Sequence, residues 1–181
     1  MDFNILDFGD EFHSKLSNKL NSVLKSSYWS GGENIKNIEE KFSEIYSMNA
    51  ISCSSGGIAL EIIATVFKNI KKIGVQSNTY FASILPWINR NKEIILIGTK
   101  DKALTPSLEL VKEVINKGVD AIVLTHIGGY PIPEIKEIQT YCRKNNTLLI
   151  EDCAHSPLTR INNKLVGSFG DASIFSFFPT K

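Results

Sequence analysis

From residue 50 onward, short apolar runs alternate with amphipathic stretches, and this alternation constrains the chain more than any other feature. The runs fall at 50–53, 73–76, 94–98, 121–125, 148–151 and 173–177. Between them lie stretches with apolar residues at helical spacing, such as Leu108, Val111, Val114 and Ile115, or Ile135, Ile138 and Cys142. Runs that stay apolar throughout, rather than at every second position, suit strands covered on both faces. Strand–helix alternation of this kind predicts an α/β fold, a mostly parallel sheet with helices on both faces. Ahead of it, Phe12, Leu16, Leu20, Val23 and Leu24 form one helical stripe, and Ile35, Ile38, Phe42, Ile45 and Tyr46 form a second. Tyr28-Trp29-Ser30-Gly31-Gly32 separates the two. The expected division is a helical segment over 1–48 and an α/β portion over 49–181.

Charge and composition exclude several function classes. Twenty basic residues stand against 19 acidic, a formal net charge of +1. That balance gives no electrostatic footprint for nucleic acid or an anionic membrane. No apolar run approaches the ~20 residues that span a bilayer, and the first residues are acidic where a signal peptide is basic. The three cysteines, Cys53, Cys142 and Cys153, cannot all pair and none lies in a CxxC, so a reducing, cytoplasmic compartment is expected. GxGxxG, P-loop, HExxH and GxSxG patterns are all absent, which argues against dinucleotide, nucleoside-triphosphate, zinc-protease and α/β-hydrolase chemistry.

Five short segments could carry chemistry, and each has a plainer reading. Ser54-Ser55-Gly56-Gly57 follows one run and opens a helix expected over 58–68. Small residues there let the first-turn N–H groups reach a phosphate, though a serine cap explains the same turn. Thr79-Tyr80-Phe81 could present an aromatic ring to a planar ligand, or Phe81 and Trp87 could simply fill the core. His126 closes one run ahead of Gly128-Gly129-Tyr130-Pro131; such a histidine is either a hydrogen-bonded structural residue or a chemical one. Glu151-Asp152-Cys153-Ala154-His155 sits at the carboxyl end of a run, where open α/β sheets bind ligands. An acid there can hold a ring nitrogen protonated, or merely cap a loop; Cys153 and His155 alone are too few ligands for a metal. Lys181, reached through an apolar run, is either a desolvated amine of lowered pKa or an exposed chain end.

In this order, the segments resemble the DegT/DnrJ/EryC1/StrS family of aminotransferases, which use pyridoxal 5′-phosphate on keto-sugar nucleotides. The family's Ser-Gly-Thr-x-Ala-Leu falls on Ser55-Gly56-Gly57-Ile58-Ala59-Leu60, with Gly57 in place of the usual threonine. Thr-Phe-x-Ala-Thr falls on Thr79-Tyr80-Phe81-Ala82-Ser83, and Val-His-x-x-Gly on Thr125-His126-Ile127-Gly128-Gly129. Glu-Asp-x-Ala-Gln/His falls on 151–155. Gly-x-x-Gly-Asp and Ser-Phe-x-x-x-Lys fall on Gly167, Gly170, Asp171, Ser176, Phe177 and Lys181. The resemblance implies a fold type I large domain. It implies that Ser55, Gly56, Gly57 and Ser176 hold the cofactor phosphate, Tyr80 stacks on the ring, Asp152 pairs with the ring nitrogen and His155 contacts the 3-oxygen. Lys181 is implied as the catalytic Schiff-base lysine; a dehydratase branch of the family carries histidine there. Glutamate as amino donor, a nucleotide-linked keto-sugar as acceptor and a homodimer in the full-length form are implied in the same way.

The resemblance runs from about residue 20 to the last residue, about half of a family member. The sequence therefore looks truncated, with the small C-terminal domain absent. The expectation is a longer, active native product and a weakly active or inactive 181-residue piece. Two other classes stay open: an α/β module that binds a phosphorylated ligand without chemistry, and a truncated pseudoenzyme that pairs with a longer homologue.

Overall fold

The structure, a computed structural model, describes residues 8–178. Lys181 lies outside the described residues. These fall into two compact units, one of residues 8–52 with Phe178 and one over 53–177.

The first unit holds α1 (Gly9–Ser26) and α2 (Glu33–Tyr46), each ended by a serine in the left-handed conformation, Ser27 and Ser47. Both follow the two apolar stripes. In α1, Phe12, Leu16, Leu20 and Leu24 stay exposed, and no residue of that helix is buried. The run at 50–53, expected as a strand, is not one. The Ala50 N–H donates to Ser43 Oγ, and the Ser52 N–H and hydroxyl both donate to Glu39 Oε1, so side chains satisfy these donors without a ladder. Ile51 is 81% exposed, which removes the burial that the apolar pattern implied.

The second unit is the α/β portion. In chain order its elements are α3 (Gly56–Val66), β1 (Lys72–Gln76), α4 (Leu85–Ile88), β2 (Glu93–Ile97) and α5 (Leu108–Ile115). They continue with β3 (Ala121–Thr125), α6 (Ile135–Lys144), β4 (Leu148–Asp152), β5 (Arg160–Ile161), β6 (Lys164–Leu165) and β7 (Ala172–Ile174). Five strands form one parallel sheet in the order β2-β1-β3-β4-β7. Successive side chains of a strand point to opposite faces. Ile73, Val75, Ala121, Val123 and Ile150 accordingly pack with Ala64 of α3 and Trp87 of α4, while Ile122, Leu124 and Leu149 pack with Val111 of α5 and Ile138 of α6. The sheet is thus covered by helices on both faces, as the alternation predicts.

Two departures have local causes. The run at 173–177 pairs only as far as Ile174, because its partner β4 ends opposite it at Asp152. The β5–β6 hairpin turns on Asn162 and Asn163, both at positive φ, a conformation that asparagine tolerates in two-residue hairpin loops. Among the described residues, no helix is long and apolar enough to cross a membrane.

Candidate active site

The carboxyl ends of β3 and β4 place Thr125 beside Asp152 in register. Strand alternation then sorts the polar residues at these ends. Thr125 and Asp152 share the parity of Val123 and Ile150 and face the α3–α4 side. Glu151 shares the parity of Leu149 and faces the α5–α6 side, as does His126, one residue beyond β3.

On the α5–α6 side the polar groups saturate one another. His126 and Glu151 are wholly buried, with Nε2 and Oε2 2.9 Å apart. His126 Nδ1 accepts the Ile132 N–H at 3.1 Å, so a neutral ring carries its proton on Nε2 and donates it to the carboxylate. Glu151 also accepts the N–H groups of Gly167, Phe169 and Gly170. Gly167 has φ of +91°, and a Cβ there would lie 2.5 Å from Phe175, so this turn over Glu151 requires glycine. Cys153, together with His126 and Glu151, brings three ligand-type atoms within 4.8 Å. The imidazole nitrogens and carboxylate oxygens are already committed. Burial, and then the Glu151 and Asp152 carboxylates, push the Cys153 thiol well above its ordinary pKa. Proton loss by the thiol, which metal ligation requires, is therefore opposed. Of the two readings of His126, the structure favours the structural one.

Asp152 is also buried, yet its surroundings differ. Oδ1 accepts the Ala154 N–H at 3.0 Å and Oδ2 accepts the Ser83 hydroxyl at 2.6 Å. Among the described residues no cation lies within ion-pair distance of it. A buried carboxylate is costly without a charged or strongly donating partner, so this one presents an unmatched demand for a cationic N–H. Ser83, the last residue of the Thr79–Ser83 motif and one to which the resemblance assigns no role, supplies half of its bonding.

The start of α3 lies close by. Ser55 caps the helix, its Oγ accepting the Ile58 N–H and its carbonyl the Ala59 N–H. The N–H groups of Gly56 and Gly57 have no partner among the described residues, and a helix start of this kind attracts anions. A Cβ on Gly56 would lie 3.5 Å from Ile174 Cδ1 and 3.8 Å from Ser176 Cβ, and one on Gly57 would lie 3.7 Å from Ala82 Cβ. Three segments far apart in sequence thus meet around these amides: 55–57, 79–83 and 174–176.

His155 is half-buried, and its Nδ1 accepts the Gly128 N–H at 3.0 Å, so a neutral ring keeps its donor hydrogen on Nε2. The His126–Gly129 segment therefore orients His155. Tyr80 is exposed, its ring 4.3 Å from that of Phe81. Of the two aromatics expected in the core, Trp87 is fully buried and Phe81 is 58% exposed. Ser55, Gly56, Gly57, Asp152, His155 and Ser176 lie at the carboxyl end of the sheet or on the α3 turn against it.

Residues 11–181 match the model of the DegT/DnrJ/EryC1/StrS aminotransferase family. The chain is 32% identical over 166 residues to a GDP-perosamine synthase of Vibrio cholerae, covering 90% of this chain and 45% of that protein. It is 29% identical to a dTDP-3-amino-3,6-dideoxy-alpha-D-galactopyranose transaminase of Aneurinibacillus thermoaerophilus, covering 92% of this chain and 46% of that protein. Among solved structures, a GDP-4-keto-6-deoxymannose-3-dehydratase variant with bound GDP-perosamine is similar, with a TM-score of 0.85 and 26% identity. That match covers 97% of this chain and 47% of the other. The chain spans less than half the length of these relatives.

Proposed function

Because the chain belongs to the DegT/DnrJ/EryC1/StrS aminotransferase family, we propose that it is the cofactor-binding part of a pyridoxal-phosphate enzyme that aminates a nucleotide-linked keto-sugar. The observation that carries this reading is Asp152, a buried carboxylate with two neutral donors and no cation among the described residues. A protonated pyridine nitrogen meets that demand, and the unpartnered Gly56 and Gly57 amides fit the phosphate at the other end of the same molecule.

The site residues divide the work. Gly56 and Gly57 N–H groups, with the Ser55 and Ser176 hydroxyls, would hold the phosphate at the positive end of α3. Gly57 stands where the family has threonine, which removes a hydroxyl and keeps the amide. Asp152 would accept from the ring nitrogen, His155 would donate to the 3-oxygen, and Tyr80 would supply an aromatic face for the ring. When bound, the cofactor supplies an electron sink and an aldehyde carbon that carries amino groups. Lys181 would attach it, and the freed Lys181 amine would serve as the general base and acid for proton transfer. Lysine rather than histidine at 181 favours transamination over dehydration. Glutamate is the amino donor in this reading, and the reaction runs in a reducing cytoplasm, consistent with three free thiols. The exposed apolar row Ile58, Ile62 and Val66 on α3 supports a homodimer.

The test uses the chain incubated with pyridoxal phosphate, reduced with borohydride and mapped by mass spectrometry. The expected adduct is on Lys181, and Asp152→Asn weakens uptake at least tenfold. An adduct only on other lysines, or uptake unaffected by Asp152→Asn, overturns the reading in favour of a phosphate-binding module. Glutamate added to the loaded chain should convert bound pyridoxal phosphate to pyridoxamine phosphate, read by mass.

A further inference from the structure

Behind Asp152 lies a row of hydroxyl groups that the proposed chemistry does not use. Ser83 Oγ donates to Asp152 Oδ2 at 2.6 Å, Thr79 Oγ1 donates to Ser83 Oγ at 2.9 Å, and Thr79 Oγ1 and Thr125 Oγ1 are 2.6 Å apart. A hydroxyl has a single hydrogen to give. Ser83 gives its hydrogen to the carboxylate, so it can only accept from Thr79. Thr79 has then spent its own, so Thr125 must be the donor in the last pair. The direction of the whole row is fixed: Thr125 to Thr79 to Ser83 to Asp152.

The row is also well anchored. Ser83, Thr125 and Asp152 are buried, and Thr125 sits beside Asp152 in the β3–β4 register. The Thr125 N–H donates to Gln76 Oε1, and Gln76 is itself fully buried at the end of β1. Three strand ends therefore hold the hydroxyls in line. Hydrogen bonds in series polarise one another, and donors aimed at a carboxylate favour its charged form.

We propose that Ser83, backed by Thr79 and Thr125, is a positioning residue that keeps the proton shared between Asp152 and a bound ring nitrogen on the nitrogen. This rests on the reading of Asp152 as the partner of a pyridine ring. Asp152 makes the contact; Ser83 acts through it. Without the Ser83 hydroxyl, Oδ2 loses its donor, the carboxyl group holds the shared proton more readily, and the ring loses cationic character. Ser83→Thr keeps the hydroxyl, and threonine is the residue the family pattern has at this place.

The experiment loads the chain with pyridoxal phosphate labelled with nitrogen-15 in the ring and records the ring-nitrogen chemical shift at neutral pH. The unsubstituted chain and Ser83→Thr should give the pyridinium position. Ser83→Ala should move the signal part-way toward neutral pyridine, and Thr79→Val should move it in the same direction by less. Thr79→Val also serves as the reading if Ser83→Ala does not fold, because it leaves Ser83 in place. A pyridinium signal in the unsubstituted chain that neither variant moves refutes the positioning role, even if melting temperatures fall. Failure of the unsubstituted chain to bind the cofactor, or an unprotonated ring in it, brings down the reading of Asp152 and this inference with it.

Discussion

Neighbouring residues in this protein differ most where a strand turns them to opposite faces. Glu151 and Asp152 are both acidic and both buried. Glu151 is enclosed by four donors and is structural; Asp152 has two and retains capacity for a ligand. The sequence marks the pair as a motif, but only the groups facing each carboxylate divide their roles: His126 and the 167–170 turn for Glu151, Ser83 and Ala154 for Asp152. The cysteines divide in the same way. Burial and the nearby Asp171 push the Cys142 thiol up to about 12, burial and two carboxylates hold the Cys153 thiol well above its ordinary value, and Cys53 alone is exposed. Iodoacetamide at pH 8 should therefore modify one thiol of the folded chain, Cys53, and all three after denaturation, counted by mass spectrometry. A label on Cys153 in the folded chain contradicts this assignment.

At the scale of elements, the sheet was legible wherever apolar runs met partners on both sides. β3 is buried along its whole length and coincides with its run. The run at 50–53 misleads because an apolar run reports an opportunity for burial, and here Glu39 and Ser43 take the backbone donors instead. The β5–β6 hairpin and the turn over Glu151 escape a periodicity argument because two-residue strands and glycine turns have no period. That turn is held to β4 mainly by one side chain. Glu151→Ala strands three backbone N–H groups and the His126 Nε2–H around a buried carboxylate position, at a cost of about 3–5 kcal/mol. Urea unfolding should show that loss. Asp152→Asn keeps an acceptor for Ala154 and strands no backbone N–H, so its loss of unfolding free energy should be smaller than that of Glu151→Ala. A small loss for Glu151→Ala would mean that packing and the Asp171–Leu149 and Gln139–Phe169 bonds hold the turn without it.

Across the whole α/β unit, a parallel sheet has two unlike ends. The carboxyl ends of β3 and β4 carry Thr125 and Asp152; the amino ends are tied by Asp120, just ahead of β3. Its Oδ2 accepts the Lys71 and Lys72 N–H groups at 2.7 and 2.9 Å, and its carbonyl accepts the Leu148 N–H at 2.9 Å. Bonds from Lys72 and then Lys71 hold the Asp120 carboxyl below its usual range. A lowered folded-state pKa means stability that is fully present above the unfolded value of about 3.9 and is lost as pH falls through the lower folded value. The group is near the surface, where solvent reduces its worth. Asp120→Asn should lower the melting temperature at pH 7 by a few degrees and flatten its decline below about pH 4, where the native carboxylate takes up its proton. Cofactor uptake should not change, because the substitution lies at the end of the sheet opposite Asp152. If uptake weakened in step with the melting temperature, the two ends would be energetically coupled, and the division of labour along the strands would have to be abandoned.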